Sequence, residues 1–202
     1  MARLIVYYAH PGHRYSHANK AMFAAAGMVT GITLVDLYAE YPRFDINIDR
    51  EQSRLLDHDV ILFQFPMFWY STPSLLKEWQ DLVLEHGFAY GAGGDKLTGK
   101  RMMAALTAAG DHEAYSESGY QHYPLRTFLT PLERTAKLCH MEFAAPYVLY
   151  GSLRAPDDGR LQSHVAGYRR LLESIRDDRY DFAAAALGEI IDCTGLPLLA
   201  EV

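Results

Sequence analysis

The feature that most constrains this chain is an apolar run that breaks into a polar, glycine-containing turn and then an alanine-rich segment. Leu4 to Asn19 reads LIVYYAHPGHRYSHAN. Leu4 to Ala9 is rich in β-branched and aromatic residues without polar alternation, the pattern of a strand buried on both faces of a parallel sheet. Pro11-Gly12 ends the run. Ser16 is placed as the N-cap of a helix running to about Ala26, with Gly27 as its C-cap. Strand, tight loop and helix start together bring unpaired backbone N–H groups to the positive end of a helix dipole, which is a site for a phosphate. Ser16 adds a hydroxyl, Asn19 an amide, and His10, His13, Arg14 and His17 add potential positive charge. The loop matches neither GxxxxGK[ST] nor GxGxxG. Taken alone, it also suits an ordinary connector.

Ile32 to Leu37 reads as the next strand, so the first two strands form a right-handed, parallel βαβ unit. Tyr38 to Asp49 reads as loop, with Asp45 and Asp49 as loop carboxylates and a helix cap, and Arg50 to His58 as a short helix. Val60 to Phe65 is a third strand, apolar on both faces and therefore central, stopped by Pro66. Met67-Phe68-Trp69-Tyr70 follows. Three consecutive aromatics cannot all enter one core, so at least one ring must lie at the surface or in a cleft. In a doubly wound sheet the cleft lies at the carboxyl ends of the strands. The phosphate turn and the aromatic platform then become neighbours, and a phosphate-bearing flat ring uses both. A hydrophobic plug under the loop is the competing reading. Trp79 reads as core, while Lys77 and Glu78 face solvent.

Gly87 to Gly99 reads as turn chemistry. Arg101 to Ala108 is the fourth strand and runs into Thr107-Ala108-Ala109-Gly110. Leu125 to His140 reads as a helix interrupted at Pro131, and Pro146 to Tyr150 as a fifth strand at the sheet edge. Asp157 to Arg176 contains a last amphipathic helix. Residues 1–180 form the domain. In the tail, 181–202, AAAALGEIIDC reads as helical and suited to covering the edge strand or lying across a partner subunit.

The net charge of -6 and the lack of a basic stripe argue against a nucleic-acid partner. Cys139 and Cys193 form no CxxC or zinc spacing. With no apolar run near the length of a membrane span, the expectation is a cytoplasmic protein.

AHPxxxxSxxN, from His10-Pro11 to Ser16-His17-Ala18-Asn19, resembles the first loop of the flavodoxin-like NAD(P)H:quinone oxidoreductases. PMxWYSxPxLLKxWxDxV is similar to their second characteristic stretch. It is carried here by Pro66, Met67, Trp69, Tyr70, Ser71, Pro73, Leu75-Leu76-Lys77, Trp79, Asp81 and Val83. DLYxxYPxFxIxI and GFAYGxGGxxLxGK match as well. The resemblance covers residues 3–175 and is nearest to the ancillary flavoproteins of glutathione-gated potassium-efflux antiporters (KefF/KefG-like).

The resemblance implies a flavodoxin-like three-layer α/β sandwich, whose five-stranded parallel sheet has order 2-1-3-4-5. It implies FMN as the flavin, with FAD as the alternative, and NAD(P)H as co-substrate. His10, Ser16, His17, Ala18 and Asn19 would serve the phosphate end. Met67, Phe68, Trp69 and Tyr70, with Thr107, Ala108, Ala109 and Gly110, would hold the ring. Relatives usually show TTGG at this last stretch, so Ala109 would be strained if it had to adopt positive φ. Tyr115 and His122 fall near a Tyr and a His that manage charge on the reduced flavin. The expected activity is NAD(P)H:quinone oxidoreduction by a homodimer. The alternatives are a regulatory subunit docked on a potassium-efflux antiporter at the inner membrane, and a flavodoxin-type electron carrier.

Overall fold

The computed structural model describes residues 1–186 and 188–200. Five strand positions form one parallel sheet in the order β2-β1-β3-β4-β5, the order expected. β1 (Leu4–Tyr8) lies between β2 (Thr33–Asp36) and β3 (Val60–Pro66), and β4 (Arg101–Thr107) pairs with the other side of β3. The fifth position is split into β5 (Glu142–Phe143) and β6 (Tyr147–Leu149), both paired with β4. Register slips by one residue between Met102↔Phe143 and Ala105↔Tyr147. Ala144 to Pro146 therefore holds one extra residue, a bulge, at a point where proline has no N–H to give the ladder.

Alternate residues of the central strands feed two cores. Ile5, Tyr7, Ile61, Phe63, Met102 and Ala104 pack under α3 (Ile48–Asp57), α4 (Ser74–Val83), α5 (Leu125–Phe128) and α6 (Thr130–Leu138). Leu4, Val6, Val60, Leu62, Met103 and Ala105 pack under α1 (Ala18–Gly27) and α7 (Arg160–Arg176). A sheet buried on both faces explains why the strands read as unbroken apolar runs.

Several local expectations change. Gly27 is the last helical residue of α1, and Met28 caps it in right-handed conformation. The left-handed turn comes later, at Gly31. A one-turn helix, α2 (Leu37–Glu40), stands where loop was expected, because the Asp36 carboxylate accepts the N–H groups of Tyr38 and Ala39. Asn47, not Asp45 or Asp49, caps α3 through its side-chain oxygen on Arg50 N–H. Pro131 opens α6 after a break at Leu129.

The tail's helix, α8 (Phe182–Ala185), is short. Ile191 instead exchanges hydrogen bonds with Pro146 and Val148, which covers the edge of β6. Leu187, inside the stretch expected to be helical, lies outside the described residues. Among the described residues no helix is long and apolar enough to cross a membrane.

Candidate functional site

At the carboxyl ends of β1, β3 and β4 lies a cleft of about 580 Å³. Its walls include His10, Gly12, Ser16, His17, Ala18 and Asn19 from the first loop and helix, and Met67 and Phe68 after β3. Thr107 and Ala109 after β4, and Ser152 and Leu153 after β6, complete it.

The first wall is built for a negative charge. Ser16 has extended backbone, and its hydroxyl accepts the Asn19 N–H at 3.1 Å, the geometry of a capping serine. The helix is assigned from Ala18, yet this hydrogen bond is the one expected of Ser16. The backbone N–H groups of His17 and Ala18 meet no acceptor among the described residues. They stand at the positive end of a ten-residue helix. Nδ1 of His10 accepts the Gly12 N–H at 3.0 Å, so its proton sits on Nε2 and the ring offers the cleft a neutral donor. Burial and the neighbouring His13 lower the pKa of His10 and keep it uncharged.

Asn19 is placed differently from the expectation of a phosphate donor. Its side chain is 2% exposed, and Nδ2 donates to Thr107 Oγ1 at 2.8 Å. It ties the first wall to the third. Nε2 of Gln64, fully buried on the central strand, donates to the Asn19 carbonyl at 2.9 Å.

The aromatic stretch divides. Phe68 lines the cleft, its ring set at 77° to that of His10 with 5.7 Å between centroids. Trp69 and Tyr70 do not line it. Both have positive φ, and Phe68 and Ser71 close the turn with two reciprocal 3.0 Å hydrogen bonds. Two bulky residues in left-handed conformation cost about 1–2 kcal/mol each. The turn leaves Trp69 92% exposed and lays Tyr70 on Phe128 at 5.0 Å. Trp79 is core, against Tyr7 and Phe63.

Of the TAAG stretch, Thr107 and Ala109 reach the cleft, while Ala108 is buried behind it. Ala109 does not have positive φ, so the strain expected of it does not arise. Gly110 faces away: a Cβ there would lie 3.0 Å from Tyr115 Cε2 and 2.9 Å from the Tyr120 hydroxyl. Tyr115 thus sits one ring behind the cleft wall, against Phe128 and Tyr150, and burial raises its pKa. His122 is an exposed turn residue with positive φ and lies outside the cleft.

Ser152 and Leu153 were not singled out from the sequence. The Ser152 N–H donates to the Ala108 carbonyl at 2.9 Å and Gly151 N–H to Gly110 at 2.8 Å, so the fourth and fifth loops are laced together. The signal was present: this loop follows the last strand, and the cleft of such a sheet lies at the carboxyl ends.

A family model described as flavodoxin-like fold matches residues 2–172. The glutathione-regulated potassium-efflux system ancillary protein KefG of Cronobacter sakazakii is 43% identical over 171 residues, 85% of this chain and 92% of the relative. The protein of the same name from Yersinia pestis is 41% identical, over 85% of this chain and 94% of its own. The crystal structure of general stress protein 14 from Treponema denticola, in complex with FMN, is 29% identical. It superposes with a TM-score of 0.80 over 86% of this chain and 99% of that one. The sheet order, the cleft at its carboxyl end and a match spanning most of the sequence agree: this chain belongs to the flavodoxin-like fold family.

Proposed function

We propose that the cleft holds FMN, and that the chain is a flavin-dependent oxidoreductase of the kind that accompanies glutathione-regulated potassium-efflux antiporters. The observation that carries this reading is the unpaired N–H pair of His17 and Ala18 beside the Ser16 hydroxyl, at one end of a slot walled by Met67 and Phe68. An anionic tail and a flat apolar body fit the two ends together. The FMN complex of the Treponema denticola relative supports the choice of flavin. The names of the 43% and 41% identical relatives support the ancillary role over the stand-alone quinone oxidoreductase that the motifs put first.

The bound flavin supplies redox chemistry with NAD(P)H as electron donor, and the protein binds, orients and shields it. Ser16, His17 and Ala18 hold the phosphate, and His10 adds a neutral donor. Thr107 and Ala109 flank the ring opposite Met67 and Phe68. Ala108 and Gly110 act from behind, by fixing the loop that carries Ser152. Trp69 and Tyr70 shape the rim. Tyr115, one layer back, is better placed than His122 to respond to charge in the cleft.

Quinone reduction remains the second reading. Phe68 and Leu153, both exposed at the mouth, would take a planar acceptor between them. Exposed Trp69, Tyr120 and Tyr123 give a second copy an apolar surface to cover, so we propose a homodimer.

The test is to purify the protein, record its visible spectrum and identify the released cofactor by mass. A yellow protein releasing FMN is expected. A colourless protein that takes up neither FMN nor FAD overturns the assignment. Co-purification with the cytosolic part of a potassium-efflux antiporter supports the ancillary role. Quinone-stimulated NAD(P)H oxidation without such binding moves the assignment to the second reading.

A further inference from the structure

Three polar side chains stand where the fold could have used apolar ones. Gln64, in the central strand, and Tyr168, on α7, are fully buried, and Asn19 is nearly so. None of the three sits there without partners. Nε2 of Gln64 donates to the Asn19 carbonyl, at 2.9 Å, and the Tyr168 hydroxyl meets Oε1 of Gln64 at 3.1 Å. The direction of this chain is fixed by its chemistry. A carbonyl only accepts, so the amide nitrogen of Gln64 must face Asn19. Its oxygen therefore faces Tyr168, whose hydroxyl must donate.

Asn19 is gripped at three points. Its N–H goes to Ser16 Oγ, its carbonyl receives Gln64, and its side chain donates to Thr107. It lies in the first turn of α1, immediately after the two residues whose N–H groups are unpaired. Among the described residues, no other side-chain hydrogen bond ties the carbonyl side of that turn to the central strand.

We propose that Tyr168 is a positioning residue for the anion-binding turn, acting through Gln64. The inference rests on the assignment of the Ser16–Ala18 turn to a phosphate. Tyr168 does not line the cleft. Its hydroxyl keeps Gln64 turned toward Asn19, and Gln64 keeps the donors of His17 and Ala18 at a fixed height above the strand ends. In Tyr168→Phe, Oε1 of Gln64 loses its partner in the core. The amide then gains by turning toward any other donor and releases the Asn19 carbonyl.

The readout compares FMN with riboflavin, which has the same ring and lacks the phosphate. Both are titrated into the apo form of the full chain, for the unaltered protein, Tyr168→Phe and Gln64→Met, with thermal midpoints recorded alongside. The expected result is a loss of FMN affinity of about fivefold or more in each variant, with riboflavin affinity changed less than about twofold. Equal weakening of both ligands, or a lower thermal midpoint with the FMN preference intact, overturns the proposal and leaves a structural role for the pair. An unaltered protein that binds FMN no better than riboflavin overturns the phosphate assignment itself. If Tyr168→Phe does not fold, Gln64→Met decides by the same ratio, because it breaks the same chain one link closer to the turn.

Discussion

The Asn19 side-chain amide donates to the Thr107 hydroxyl across 2.8 Å and joins two loops separated by 88 residues of sequence. One residue belongs to the first turn of α1, the other to the end of β4, so this hydrogen bond spans the inner end of the cleft. Oδ1 of the same amide is buried without a hydrogen-bond partner among the described residues. Thr107→Val keeps the shape of the side chain and removes the acceptor, leaving both ends of the amide unpaired. Stability should fall by about 1–3 kcal/mol in urea denaturation of the apo protein. FMN retention should fall with it, since the two walls are no longer held in register.

Ser16 separates capping from anion binding. Ser16→Ala removes the acceptor for the Asn19 N–H and should cost about 1 kcal/mol. Ser16→Asp restores a good cap and puts a negative charge where the phosphate would lie. The aspartate variant should therefore be as stable as the unaltered protein in the apo form and bind FMN far more weakly. Denaturation and flavin titration of the two variants check this. Tight FMN binding by Ser16→Asp would move the phosphate away from this turn.

The strands and the two informative loops were legible because their signals are local. Leu4–Tyr8 is an unbroken apolar run, Val60–Pro66 is apolar but for Gln64, and Ser16 caps within three residues of itself. Gln64 was read simply as part of an apolar strand, because its partners are 45 and 104 residues away. The lacing of Ala108 to Ser152 is likewise tertiary. Trp69 and Tyr70 oppose local preference outright: two aromatics occupy left-handed positions that favour glycine or asparagine. That conformation turns Trp69 into solvent and leaves only Met67 and Phe68 of the expected platform in the cleft. The divided fifth strand follows from a one-residue bulge, visible only once β4 supplies the register.

Glu51 anchors the opposite face of the sheet. It is fully buried, accepts from Tyr41 at 2.5 Å and from Trp79 Nε1 at 3.1 Å, and pairs with Arg54 at 2.6 Å. Glu51→Ala leaves a phenol and an indole N–H without their acceptor and leaves Arg54 with Glu40, at 3.4 Å. A loss of about 1–3 kcal/mol for each donor left without its acceptor is expected in chemical denaturation. Folded protein recovered at low temperature should still prefer FMN to riboflavin, because the cluster lies under α3 and α4, away from the phosphate turn.

His164 should make stability depend on pH. Its ring is buried, stacked on Tyr147 at 4.3 Å, and Nε2 has no hydrogen-bond partner among the described residues. Burial brings its pKa from 6.5 down to about 4, opposed weakly by Asp192 and assisted by Arg160. The folded state therefore carries the neutral ring, while the unfolded chain takes up a proton below about pH 6.5. Between these two values the unfolded state binds more protons, so stability falls as pH falls, by about 2 kcal/mol from near pH 7 to near pH 5. His164→Phe retains a ring against Tyr147 and loses no hydrogen bond made by the imidazole. Urea midpoints measured across that window should fall less steeply in the variant. Parallel slopes would mean that the imidazole takes its proton inside the folded protein, beside Asp192.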